Sequence, residues 1–484
     1  MRFHIVLRYI AFALIFNSLF MIISSIISLI YSDDAFMPLL YSGLVTALFG
    51  IFPLVFVPAT STITNKEGHL IAVSSWLVSC LVGMLPYLMW GDPFTITNAW
   101  FETVSGFTTT GSSIVSDVEV LPHGLLFWRA STHWIGGIGI IIFVLSVLPF
   151  LGIAEIVLYR SEISSMAREN FHYRAGKAIR IIAGVYGGLT LLETIALILC
   201  GMKIFDAITH AFATIATGGF STKNASIAYF KNPTIEVVII IFMILSGIHF
   251  ATLFSVISGH VREFWKSNVV RYYLAALLIG IIITTLNLHG DKFIHWIDAI
   301  RYASFQIISI GTSTGFATAD TAVWPSLSHL VILYFALQCA CSGSTSGGIK
   351  VDRILLIGKA SLQNIKKLMH PDAVIPIHLD SHVVKEDVLT KSILYIVVYL
   401  VIVFLSTLFL SALGVDNLSA FSGTVAAIGN VGPGLGSVGS MATFSQIPEP
   451  GKWILSFTML LGRLEIFAFF LLLTRAQWRK TVAY

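Results

Sequence analysis

Long unbroken apolar runs, each closed by a short polar stretch, set the pattern of this chain. A helix needs about 20 apolar residues to cross the hydrocarbon core of a bilayer. Runs of that order fall at 9–31, 37–60, 69–91, 123–158, 178–200, 234–258, 270–288, 326–358, 391–413 and 452–474. They are continuous rather than alternating, so the pattern predicts ten spanning helices and not the strands of a barrel. The first run follows Arg2 and Arg8 and is followed by Asp33-Asp34. It is longer than the roughly 7–15 residues of a signal peptide's apolar core, and we read it as a first transmembrane helix.

Composition sharpens this reading. Of 484 residues, 56% are apolar without counting glycine and 11% are charged. Soluble globular chains carry about 45–50% apolar and about 25% charged residues. The charged surface of a soluble enzyme of this length is missing, and disordered, fibrous and disulfide-scaffold classes are excluded as well. Cys80, Cys200, Cys339 and Cys341 lie in apolar context without metal-ligand spacing. The net charge of +4 says less than the placement of Lys and Arg. Arg160, Arg168, Arg174, Lys177 and Arg180 form one basic segment, and Arg262, Lys266 and Arg271 a second. Residues 350–391 carry Lys350, Arg353, Lys359, Lys366, Lys367, Lys385 and Lys391, and the tail carries Arg475, Arg479 and Lys480. These loops are expected on the cytoplasmic side, which with ten spans places both termini there. The polar stretch 350–391 is the expected surface for a cytosolic partner.

After the runs ending near 91, 200, 288 and 413 the chain passes through a short semi-apolar segment that ends in a small-residue patch. The patches are Thr109-Thr110-Gly111-Ser112, Thr217-Gly218-Gly219-Phe220, Ser313-Thr314-Gly315-Phe316 and Asn430-Val431-Gly432-Pro433. Their glycines Gly111, Gly219, Gly315 and Gly432 are spaced by 108, 96 and 117 residues. Phe101-Glu102-Thr103-Val104-Ser105 and Phe305-Gln306-Ile307-Ile308-Ser309 precede their glycines at identical distance. One unit is therefore used four times, behind an N-terminal hairpin. Each segment reads as a half-crossing helix followed by extended backbone, which survives at membrane depth only inside protein or beside a cavity. Four such units predict a ring about a central pore, with the partly negative helix C-termini favouring a cation. Glycine lets the backbone turn its carbonyls inward, and carbonyl rings that replace a hydration shell form potassium filters. The patches hold no Asp, Glu, Lys or Arg, which argues against divalent cations and anions. In the second patch Gly218 and Gly219 compete for the ligand position; we favour Gly219 because Phe220 follows it as Phe316 follows Gly315.

The run 326–358 is interrupted by Gly343-Ser344-Thr345-Ser346-Gly347-Gly348-Ile349-Lys350. So many Gly and Ser/Thr are costly as helix, and an unwound stretch just below the filter is placed to plug the path and move aside. The plain alternative is a helix with small residues for close packing. Arg463 and Glu465 lie inside the last run, where charges face a cavity or a partner. Arg463 either binds the oxygen-rich loop or opposes cations, or else pairs structurally with Glu465 or Glu193. His133 is read as a packed histidine near the membrane interface, with Gly136, Gly137 and Gly139 permitting close helix contact.

These motifs resemble the Trk/Ktr/HKT superfamily of potassium transporters, most closely its TrkH type, over essentially the whole chain. The matches are His133-Trp134-Ile135-Gly136-Gly137, Thr217-Gly218-Gly219-Phe220-Ser221, the loop from Gly343 to Lys350, Asn430-Val431-Gly432-Pro433-Gly434 and Gly462-Arg463-Leu464-Glu465. The N-terminal hairpin matches the TrkH rather than the shorter KtrB type. The resemblance implies an all-α polytopic membrane protein with four pseudo-symmetric membrane–pore–membrane repeats. They follow an N-terminal hairpin (1–66) and occupy 67–160, 161–264, 265–384 and 385–484. It implies potassium bound along the four patches, a gating loop at Gly343, Ser344, Thr345, Ser346, Gly347 and Gly348 with Lys350, and a gate arginine at Arg463. It also implies a homodimer in membrane lipid of the inner membrane, and a cytosolic nucleotide-binding ring resembling TrkA, with the nucleotide on that partner and no nucleic acid. The chain departs from the family at Cys339-Ala340, where Gly-Gly is frequent. Sodium-permeable or sodium-coupled transport is the rival within the class. An intramembrane enzyme is disfavoured because GxSxG, HExxH and Asp paired between adjacent spans are missing, and an organic-solute carrier because the repeats are not inverted.

Overall fold

The computed structural model describes residues 2–58, 64–147, 171–373, 375–379, 382–384 and 386–473. Arg160, Arg168, Lys385, Arg475, Arg479, Lys480 and the final residues of the runs 37–60, 123–158 and 452–474 lie outside them. The chain starts with a helical hairpin, Phe3–Tyr31 and Phe36–Phe56. Its helices approach closely because Gly50 leaves room for Ile15; a methyl group there would sit 2.8 Å from Ile15 Cδ1. The turn between them is tied to the following bundle, since Asp33 Oδ2 accepts from Gly124 N (3.2 Å). Asn17 Nδ2 donates to Ser79 Oγ (2.8 Å).

Then the same sequence of elements occurs four times. The first repeat runs through Asn65–Gly83 with Leu85–Trp90, the half-helix Ile96–Phe107 and the helix His123–Val147. The second has Phe171–Leu199, the half-helix Ile204–Ile215 and the pair Pro233–Ser246 and Phe250–Ile257. The third has Asn268–Leu288, the half-helix Trp296–Gly311, Ser326–Leu337 and Val351–Met369. The fourth has Glu386–Ala412, the half-helix Asn417–Gly429, Glu449–Arg463 and Ile466–Leu473. The half-helices have 12, 12, 16 and 13 residues. At 1.5 Å per residue that is about 18–24 Å, short of the roughly 30 Å hydrocarbon core. They are also the molecule's interior: 101–110, 305–314 and 422–432 are buried throughout. The long first helices instead expose one apolar flank, as Leu400, Val401, Phe404, Leu405 and Leu408 do, which is the expected surface toward lipid.

Besides the interruption expected in 326–358, the structure shows breaks in the last helices of the second and fourth repeats. Among the described residues six helices are long and apolar enough to cross a membrane, and a bent pair makes a seventh. The interruptions fall in the last helix of a repeat. In the second repeat the chain turns by 106° between Ser246 and Phe250. Gly247 there abuts Tyr273, and His249 Nδ1 accepts from Ala251 N (3.0 Å), starting the next helix. In the third repeat 338–350 is unwound, and in the fourth the helix stops at Arg463. The polar stretch 350–391 is structured: it opens with the amphipathic helix Val351–Met369. A two-residue antiparallel ribbon follows, pairing His378 with Val383 and Leu379 with His382, which the sequence pattern did not reveal.

Candidate functional site: a ring of four glycine patches above an unwound loop

Each half-helix ends in the same way. Thr110 N, Gly218 N, Thr314 N and Val431 N donate to Ser105 O, Ala213 O, Ser309 O and Ala426 O at 2.8–2.9 Å. The residue before each donor lies in the left-handed region: Thr109 (φ 51°), Thr217 (53°), Ser313 (57°) and Asn430 (50°). This is a helix-ending motif whose left-handed position ordinarily takes Gly or Asn. Placing Thr or Ser there costs strain, and such strain persists where the side chain is needed. The glycines that follow, Gly111, Gly219, Gly315 and Gly432, have φ of 83°, 79°, 83° and 102°.

The four patches close into a ring. A methyl group on Gly111 would collide with Gly218 O, one on Gly219 with Thr314 O, and one on Gly315 with Val431 O. On Gly432 it would lie 2.7 Å from Thr110 O. So each glycine faces the carbonyl of the next repeat, always that of the residue preceding its glycine, and the fourth repeat returns to the first. The outgoing segments interlock in the same order. Asn224 Oδ1 accepts from Val118 N (2.7 Å), Ala228 N donates to Ala317 O (3.2 Å), Thr321 N to Ser440 Oγ (3.0 Å) and Phe444 N to Ser113 O (2.8 Å). The four patches, with Thr109, Thr110, Gly111, Thr217, Gly218, Gly219, Ser313, Thr314, Gly315, Asn430, Val431 and Gly432, are thus brought together. The left-handed Thr217 and the positive φ of Gly219 align Gly219, not Gly218, with the other three glycines. Gly218 has a separate steric role, since a methyl group on it would collide with the His133 ring.

Behind the ring, one position per repeat braces the outgoing chain. Nine residues before each glycine stand Glu102, His210, Gln306 and Gly423. Glu102 accepts from Ile114 N (3.0 Å) and pairs with Arg129 Nε (2.6 Å) while both side chains are buried. His210 Nε2 bonds Ser221 Oγ (2.9 Å), and Gln306 Nε2 donates to Ala319 O (2.7 Å). Where the fourth repeat has Gly423, the adjacent Ser422 Oγ accepts from Leu435 N (2.8 Å). Arg129 also donates to Ser221 O (3.1 Å) and lies 3.6 Å over Phe220, whose other face stacks on His133 at 4.1 Å. His133 is a packed histidine, as expected: it is fully buried against the second patch. Sequence reasoning missed these braces, although a polar residue inside each otherwise apolar half-helix was the available signal. At the entrance of the fourth half-helix Asp416 accepts from Ser419 N (3.0 Å), which holds its carboxyl below the usual range.

Beneath the ring lies the unwound stretch 338–350. Its neck is closed by Cys339 N to Ile349 O (3.0 Å) and Val351 N to Ala340 O (3.2 Å). Cys339 and Ala340 thus belong to the fixed neck, and the tip turns at Gly343 (φ 74°) and Gly348 (φ 63°). The tip touches the second, third and fourth repeats, and Arg463 links it to the first. Thr345 Oγ1 donates to Ile215 O (3.0 Å), Gly347 N to Ser313 Oγ (3.1 Å), and Ser313 Oγ to Ser346 Oγ (2.9 Å). Gly347 packs on Gly429 O and Asn430. Ser344 Oγ donates to Cys341 O (2.6 Å), and Lys350 Nζ to Ser346 O. Arg463, 2% exposed, donates to Thr345 O of the tip and to Gly136 O of the first repeat (3.1 Å). Of the alternatives open for Arg463, the loop is its partner. Glu465 pairs instead with Arg353 (2.7 Å). Among the described residues no group of three or more His, Cys, Asp or Glu is arranged to hold a metal ion.

The arrangement agrees with what known proteins resemble this chain. Residues 43–479 match the TrkH family, described as cation transport protein. The Trk system potassium uptake protein TrkH of Escherichia coli (strain K12) is 37% identical over 99% of this chain and all of that one. The TrkG protein of the same organism is 32% identical over 86% of each. The crystal structure of the potassium transporter TrkH from Vibrio parahaemolyticus superposes with a TM-score of 0.90 at 32% identity, covering 99% of this chain and all of that chain. Fold, repeat and full-length similarity lead to one conclusion: this membrane protein belongs to the TrkH family of cation transport proteins.

Proposed function

We propose that the chain takes up potassium through a gated pore on the axis of the four patches. The observation that carries this is the closed order of glycine against neighbouring carbonyl, which brings main-chain carbonyls of all four repeats into one ring. Oxygens so placed substitute for the water shell of a monovalent cation. The four half-helices end toward that line and add negative potential. The family members compared above are named for potassium uptake, and glycine stands at all four ring positions. The left-handed backbone that Thr109, Thr217, Ser313 and Asn430 share supports assigning them to the base of this filter.

The loop from Gly343 to Gly348 is the gate in this reading. It spans the axis below the ring, and Arg463 and Lys350 hold its carbonyls at Thr345 and Ser346. Two cationic side chains at that depth also repel a permeating cation. The repeats take the boundaries 67–160, 161–264, 265–384 and 385–484. Both termini and the helix Val351–Met369 with Lys359, Lys366 and Lys367 face the cytoplasm. There a nucleotide-binding ring resembling TrkA docks and moves the gate, on a homodimer of this chain.

The test is rubidium and sodium flux into liposomes containing the purified chain, with and without the cytosolic partner. Rubidium flux well above sodium flux is expected. Equal fluxes overturn the potassium reading, and a sodium gradient that drives rubidium entry replaces it with sodium coupling.

A further inference from the structure

The last span breaks over two residues, between Arg463 at the end of one helix and Ile466 at the start of the next. Within the break Glu465 has φ 58°. That left-handed conformation is uncommon for a residue with a long side chain, and it persists only where the surroundings over-determine it. Two bonds do so here. On one side of the break Arg463 grips Thr345 O at the tip of the loop and Gly136 O (3.1 Å). On the other side Glu465 Oε2 accepts from Arg353 Nη2 at 2.7 Å, with the two side chains only 16% and 11% exposed. Arg353 stands in the first turn of Val351–Met369, the helix that leaves the loop, and lies 3.7 Å over the Tyr395 ring. The loop neck joins the same turn, because Val351 N donates to Ala340 O.

One break therefore holds the loop at two places: its tip through Arg463 and its root through Glu465. A chain free to extend its helix through 464–465 would rotate Arg463 away from Thr345. We infer that Glu465 and Arg353 are positioning residues of the gate. Their ion pair keeps the break in its left-handed form, which aims Arg463 at the loop. Displacing the helix Val351–Met369 pulls Arg353 from Glu465, relaxes the break and withdraws Arg463. The helix is then the lever by which force on its exposed end, around Lys366 and Lys367, reaches the loop. This rests on the gating role proposed above for the loop and Arg463.

Rubidium flux into liposomes holding the full chain tests it, in R353Q, E465Q and the double variant, each with Arg463 and with R463A. Either single change is expected to raise basal flux on the order of tenfold, equivalent to about 1.4 kcal/mol in the gate equilibrium. The double variant should rise no further than the larger single, since both remove one pair. In the R463A background E465Q should add nothing, because it acts through Arg463; a purely structural role predicts an added effect there. Wild-type flux in E465Q and R353Q beside raised flux in R463A overturns this inference and leaves the gate reading standing. Unchanged flux in R463A overturns the gate reading itself. Multiplying effects in the double variant overturn the pairing. If E465Q or R353Q fails to fold, E465D and R353K keep the charge but change the reach. An intermediate rise supports the inference, and wild-type flux in both overturns it.

Discussion

The ring and the loop beneath it differ in how they use the fourfold repeat. In the ring every repeat contributes the same backbone: a left-handed residue, then a carbonyl, then a glycine at positive φ. Below it each contact occurs once. Thr345 reaches the second half-helix, Gly347 the third patch, and Arg463 comes only from the fourth repeat. On the function proposed above, the part that surrounds the ion is built by repetition of main chain, and the part that moves is built by breaking the repetition. Even the braces obey this division, since Glu102, His210, Gln306 and Ser422 perform one task with four chemistries.

The comparison is broken most severely by a side chain in the ring. Gly315→Ser combines a strained φ, about 1–3 kcal/mol, with overpacking of about 1–3 kcal/mol against Val431 O. Rubidium-over-sodium preference should collapse; Gly432→Ser, which has 2.7 Å to Thr110 O, should retain more of it. Retained selectivity in both, measured as a flux ratio in liposomes, would remove the ring from the filter role. Next comes Glu102→Gln, which takes the carboxylate counter-charge from the buried Arg129. A loss of about 3–5 kcal/mol is expected, seen as earlier thermal unfolding in detergent, whereas Ser422→Ala at the corresponding brace should cost about 1 kcal/mol. Equal losses would mean that the buried Glu102–Arg129 charge pair counts for no more than the single hydroxyl bond of Ser422. Arg463→Ala, or deletion of 344–346, acts only on the lower layer. Loss of charge-assisted bonds of about 1.5–3 kcal/mol should raise flux tenfold or more without altering ion preference. The smallest effect belongs to Ser313→Ala, whose hydroxyl belongs to both layers through Gly347 N and Ser346. Losing it is worth about 0.5–1.5 kcal/mol and should raise basal flux a few-fold; a drop in flux would show the hydroxyl serving the ion more than the loop.

Much of this was legible in the residues. Apolar runs gave the long helices, and the recurrence of a small-residue patch behind each short segment gave the ring, because backbone geometry needs Gly at a positive φ. The order of neighbours around the ring was not legible, since nothing local in Gly111 encodes that it faces Gly218 O. The breaks after Ser246 and Arg463 were not read as breaks. Ser246-Gly247-Ile248-His249 and Gly462-Arg463-Leu464-Glu465 sit inside long apolar runs, and their contacts, Tyr273 against Gly247 and Thr345 against Arg463, are tertiary. Glu465 was visible as a charge in a span, but its partner Arg353 lies 112 residues away, beyond any periodicity.

The ring's last junction joins the two ends of the chain. Gly432 meets Thr110 O, Ser112 Oγ donates to Gly432 O (2.9 Å), and Lys452 Nζ donates to Asn98 Oδ1 (3.0 Å). During translation the third patch emerges 117 residues before its closing neighbour, and the first 321 residues before it. A prematurely terminated polypeptide therefore holds an open arc, and on the function proposed above it would form no conduit for ions.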